Sequence, residues 1–134
     1  MITFLRVLFL LILASMLAVT TWASLQCPLF AVPRPVFTHP WFLATMADAY
    51  AGFVTFFVWV CYKQTGWVAR GGWFLAIMLL GNIAMSCYCL AELCQTPRDG
   101  RIADIVATRR AGPGPLGLVL AALGAAVTLR GLAG

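Results

Sequence analysis

The apolar positions of this chain are gathered into four long runs, and the polar positions fall mostly between them. The runs cover about residues 2–23, 41–62, 73–94 and 116–132. At 1.5 Å per residue, each of the first three is long enough for a helix that crosses a bilayer, which takes about 20 residues. The fourth is marginal, at roughly 17 residues. The first has a short basic start and a Leu-rich middle, as a signal peptide does. It is longer than a signal core, which predicts an uncleaved helix with Arg6 reaching back to the near surface.

The breaks are of different kinds. Pro28, Pro33, Pro35 and Pro40 rule out a regular helix between the first and second runs. Pro40 suits the first position of a helix, and Trp41 suits an interfacial anchor. The stretch QTGWVARGG reads as a polar turn bracketed by Lys63 and Arg70. An Arg-rich loop spans 95–115, in which IADIVAT has the look of a short surface helix and GPGP of a hard stop. These elements predict one membrane domain over 1–134, an antiparallel bundle of four transmembrane helices.

Composition narrows the class. Hydrophobic residues make up 63% of the chain and charged residues 10%, against about 25% charged in soluble domains. Nine basic residues against four acidic ones give a net charge of +5. Almost every Arg and Lys flanks an apolar run, where phospholipid headgroups would meet it. That placement argues against nucleic acid as a partner and for membrane lipids. In a four-span bundle one side carries Arg6, Lys63, Arg70 and Arg130, and the other Arg34, Arg98, Arg101, Arg109 and Arg110. Four against five does not orient the chain. The weight of the first helix in setting orientation places the N-terminus inside, in a bacterial inner membrane or an organellar membrane.

Candidate chemistry is sparse. Asp48 lies seven residues past Trp41, about 10 Å along the helix, where an unpaired carboxylate is costly. With Tyr62 set level with Trp73 on an antiparallel neighbour, Asp48 comes level with Cys87. Thr45 and Asp48 would then face Asn82, Ser86 and Tyr88. Such a set would be either an interhelical hydrogen-bond clamp or a polar pocket for a lipid headgroup, a quinone or an ion. On the fourth run, Gly117, Ala121, Gly124, Thr128 and Gly131 form a small-residue stripe of the kind that packs membrane helices closely.

Cys27 and Cys94 fall near one face of a four-span bundle, within reach of a disulfide if that face is oxidising. Cys87 and Cys89 point about 200° apart on a helix and do not pair. There are five cysteines and one histidine, with no CxxC and no zinc spacing. His39 reads as a solvated interfacial residue. No Ser–His–Asp set, phosphate loop or catalytic carboxylate pair can be assembled.

The run HPWFLATMADAY…FFVWVCYK, followed by Trp73, Leu80-Gly81-Asn82-Ile83 and Tyr88, resembles a family of small membrane proteins known as domain of unknown function 1475. The resemblance rests on Pro40, Trp41, Thr45, Asp48, Tyr50, Trp59, Val60, Tyr62 and Lys63. Family members often carry an acidic residue after that lysine, where this chain has Gln64. The resemblance implies a multi-pass membrane protein and brings no activity. The expected function is therefore that of a non-catalytic membrane protein, an accessory or packing subunit of a complex or homo-oligomer. The alternative is a binding or transport protein for a lipid, quinone or ion around Asp48. No cofactor is expected beyond a bound lipid or quinone, and no metal.

Overall fold

A computed structural model of the chain describes residues 1–109 and 112–133. It is all-helical: α1 (Ile2–Gln26), a 3₁₀ turn (Leu29–Ala31), α2 (Arg34–Phe37), α3 (Pro40–Lys63), α4 (Trp67–Leu80), α5 (Asn82–Cys94), α6 (Ile102–Ala107) and α7 (Gly114–Ala133). Three of these helices, α1, α3 and α7, are long and apolar enough to cross a membrane. At 25, 24 and 20 residues they are about 37, 36 and 30 Å long.

The third predicted helix does not exist as one rod. It is two short helices joined at Gly81, and the first begins at Trp67, inside the stretch expected to be a polar turn. Gly81 has φ 52° and ψ −126°, which an L side chain would not adopt without strain. A Cβ at Gly81 would also stand 2.6 Å from the Phe53 ring. The chain therefore turns sharply, and α5 doubles back on α4. Trp73 and Tyr88, about 22 Å apart in a straight helix, bring their ring centroids to 4.8 Å. With 14 and 13 residues, neither arm reaches across the roughly 30 Å of a bilayer core. At the tip, the Tyr50 hydroxyl donates to the Met78 carbonyl, one of the orphan acceptors at the end of α4.

This hairpin sets the directions of its neighbours. α3 runs antiparallel to α4, with Phe57 against Phe74 and Phe53 beside Gly81. α1 begins beside the end of α5, where Ile2 and Leu5 pack near Leu93 and Ile105. α7 runs parallel to α4: Gly114 meets Ala69, Gly117 meets Trp73 and Gly124 meets Leu79. The start of α1, the end of α3, both ends of the hairpin, α6 and the start of α7 thus share one end of the bundle, here the proximal end. The turn after α1, α2, the start of α3 and the end of α7 share the distal end, where Gly131 approaches Phe30. The bundle is three long helices with a hairpin inserted from one end, not four antiparallel crossings.

The small-residue stripe of α7 lies mostly against α4. Gly117, Ala121 and Gly124 are buried, and a Cβ at Gly117 would stand 2.9 Å from the Trp73 ring. Thr128 is half-buried and returns its hydroxyl to the Gly124 carbonyl. Gly117→Leu is expected to lower the stability of the purified chain by about 1–3 kcal/mol through overpacking. The drop should show in thermal unfolding, with particle size unchanged.

Packing is uneven along the bundle. Trp73, Tyr88, Val60, Ala76, Ile77, Ala84 and Ala121 form the main core. No residue of α1 after Ile2, of α3 before Val60 or of α7 after Gly124 is buried. From Leu17 to Ala31 every residue is exposed. The distal halves of the three long helices stand without a packed interior of their own.

Candidate functional site

Where α3, α5 and α6 meet at the proximal end, the chain buries a knot of polar groups. Lys63 closes α3 and Glu92 lies in the last turn of α5, and their side chains are 0% and 1% exposed. Lys63 Nζ donates to Glu92 Oε2 at 2.5 Å. It also donates to the Ile105 carbonyl of α6 and lies 5.5 Å from the centre of the Trp59 ring. A buried ammonium needs this enclosure, because two charges removed from water are tolerated only when paired and hydrogen-bonded. One lysine thereby joins two helix ends and a loop helix.

The neighbouring polar groups serve the same junction. Gln64 Nε2 donates to the Tyr88 hydroxyl at 3.1 Å. Thr96 Oγ1 donates to the Glu92 carbonyl at 3.1 Å. Three arginines donate to backbone carbonyls at the helix C-termini, which have no partner within the helix. Arg6 bonds Leu93 and Thr96, each at 2.7 Å. Arg70 bonds Gln64 at 2.9 Å and Arg109 bonds Tyr62 at 3.0 Å. A cation at a C-terminus also meets the negative end of the helix dipole. Trp59 Nε1 ties Val106 of α6 at 3.1 Å.

Gly112 passes close by. A Cβ there would stand 2.6 Å from Gln64 Nε2 and 3.2 Å from Glu92 Oε1. Glu92 Oε1 and Gln64 Oε1 are buried without a hydrogen bond among the described residues. Beside the knot is an apolar cavity of about 190 Å³, lined by Leu5, Phe9, Trp59, Cys89, Leu93 and residues of α6. The polar groups are sealed beneath α6, so the arrangement joins chain segments rather than presenting reactive atoms.

The residues singled out in the sequence are dispersed. Asp48 and Thr45 are exposed on α3, and Thr45 gives its hydroxyl to the Trp41 carbonyl at 2.8 Å. Asn82 is exposed at the hairpin tip, while Ser86 is buried in α5. Tyr88 belongs to the proximal knot. The cause is the turn at Gly81, which carries Cys87 back to the level of Val60 and Lys63, away from Asp48. The same turn separates Cys27 from Cys94. Cys94 sits at the proximal end and Cys27 caps the distal end of α1, so the disulfide that four crossings would allow does not form, and all five thiols are free. His39 caps α3, its Nδ1 accepting from Trp41 N at 3.3 Å.

Sequence reasoning passed over Lys63, Gln64 and Glu92 as a group, because a four-span bundle puts Lys63 and Glu92 at opposite ends. The available signal was Gly81-Asn82 in the middle of the third run. A glycine-interrupted apolar segment is the mark of a discontinuous helix.

A family model described as "Protein of unknown function (DUF1475)" matches residues 1–109. No curated protein and no solved structure matches the chain.

Proposed function

The chain belongs to the DUF1475 family, proteins of unknown function, and from that premise we propose that it is a non-catalytic integral membrane protein, a packing subunit of a larger membrane assembly. It crosses the bilayer with α1, α3 and α7, and the α4–α5 hairpin enters from the proximal side and returns to it. This reading accounts for the exposed apolar surface, which includes Leu10, Leu11, Leu17, Val54, Val58, Val127 and Leu129.

The proximal end carries Arg6, Lys63, Arg70, Arg98, Arg101 and Arg109; the distal end carries Arg34 and Arg130. Arg110 lies outside the described residues. Six against two among the described residues supports an orientation with the proximal end and N-terminus inside. Four crossings give a near-tie of positive charges because they place Arg98, Arg101 and Arg109 across the membrane from Lys63 and Arg70. The membrane is a bacterial inner membrane or an organellar one.

The observation that carries the assembly reading is the uneven packing. The chain fills its interior only around the hairpin, and the distal halves of α1, α3 and α7 bury nothing. Helices in lipid associate through van der Waals packing and polar contacts, and here those surfaces remain available to other chains. A lipid, quinone or ion site around Asp48 has less support, since Thr45, Asp48 and Asn82 are all exposed.

The test is mild-detergent extraction from the native membrane, followed by native sizing and mass spectrometry of the intact particle. A particle containing further protein chains is expected. A particle holding one copy of this chain and lipid alone would overturn the proposal.

A further inference from the structure

Asp48 stands about 10 Å along α3 from Trp41, in a helix of the length and composition to cross a bilayer. Its carboxylate makes no hydrogen bond or ion pair among the described residues, and its side chain points away from the chain's own packing. The distal basic groups, Arg34, His39 and Arg130, do not reach it. An aspartate side chain is too short to climb that distance back to the interface, unlike a lysine or arginine.

The surface around Asp48 is small and open. Ala44, Thr45, Ala51, Gly52 and Thr55 are exposed with it, and a Cβ at Gly52 would meet nothing within 4 Å. Thr45 and Thr55 turn their hydroxyls back onto the carbonyls of Trp41 and Ala51. They leave the carboxylate without a donor. Hydrocarbon does not solvate such a group, and intramembrane carboxylates pair with other groups.

We infer that this face of α3 receives a transmembrane helix of a different subunit, one that carries a lysine or arginine at the depth of Asp48. Charge selects the occupant, and the small residues let its backbone come close. A second copy of this chain is a poor occupant. A two-fold interface puts the same patch on both partners, so it would set one Asp48 against another. This inference rests on the assembly proposed above and names the chemistry of the partner.

The test places a photoreactive amino acid at position 51 and irradiates native membranes. The expected product joins this chain to a transmembrane segment of another protein, with a lysine or arginine within one turn of the attachment point. Asp48→Asn and Asp48→Leu should each cut the crosslink yield about tenfold or more. Both should leave the melting temperature of the purified chain unchanged, because Asp48 is exposed and makes no hydrogen bond or ion pair among the described residues. Exchanging the two charges, with Asp48→Lys and the partner's basic residue changed to Asp, should restore the yield. A crosslink to a second copy, to a segment without a basic residue or to lipid alone would overturn the inference. So would a fall in melting temperature with the crosslink retained. If any of these occurs while native sizing shows a multi-chain particle, the assembly stands and the cationic partner falls. A chain that sizes alone removes the assembly itself.

Discussion

A membrane-impermeant maleimide applied from outside should label Cys27 and leave Cys94 untouched until the membrane is opened. Both thiols are exposed, so accessibility across the bilayer decides the result. The expectation follows from the hairpin. Three crossings put Cys27 and Cys94 on opposite sides, whereas four antiparallel crossings put them on the same side. The orientation proposed above sets which side is which, since among the described residues six basic groups lie at the proximal end and two at the distal end. The expected contrast is close to all-or-none and needs no substitution. Reporters fused to the two termini should agree, the N-terminal one inside and the C-terminal one outside. Equal labelling of both cysteines in sealed membranes would mean that α4 and α5 cross as one helix, and the fold described here would have to be abandoned.

Removing one partner of the Lys63–Glu92 pair should destabilise the chain by about 3–5 kcal/mol, because the charge left behind is buried and uncompensated. Glu92→Leu and Lys63→Met are each expected to show it in thermal unfolding of the purified protein. The double variant, Lys63→Met with Glu92→Leu, should regain most of the loss, since an apolar pair often replaces a buried ion pair at little cost. Recovery should stop short of complete. The Ile105 carbonyl loses its donor, and an unsatisfied buried acceptor costs about 1–3 kcal/mol. Limited proteolysis offers a second readout. Cleavage between Thr96 and Gly112 should accelerate in the single variants, since Lys63 and Trp59 both bond backbone carbonyls of α6. A wild-type melting temperature in either single variant would show that the pair holds nothing.

Much of the helix content was legible in the sequence. Apolar run length located α1, α3 and α7, and Pro40 marked the start of α3. IADIVAT did form a helix, α6, with Asp104 accepting from the Arg101 backbone N–H at its start. The third run is ambiguous, because length and hydropathy do not distinguish one helix of about 22 residues from two shorter ones of 14 and 13 residues that begin at Trp67. The distinction lay in a single backbone angle at Gly81, beside the Phe53 ring that fills the space a side chain would need. The same turn accounts for the other differences: the level of Asp48, the placing of Cys27 and Cys94 at opposite ends, the division of arginines and the meeting of Lys63 with Glu92. The acid partner of Lys63 could not be read from local spacing either. It is supplied by Glu92, from another helix, while the neighbouring position 64 holds a glutamine that turns to Tyr88.

The uneven burial has a mechanical consequence. The hairpin fixes α1, α3 and α7 to one another over the proximal half alone, so the chain is built like a tripod with its joint at one surface. Helices meet a bilayer thinner or thicker than their apolar length by changing tilt. In the membrane-spanning arrangement proposed above, such adjustment would fall on the three distal legs and leave the sealed joint undisturbed.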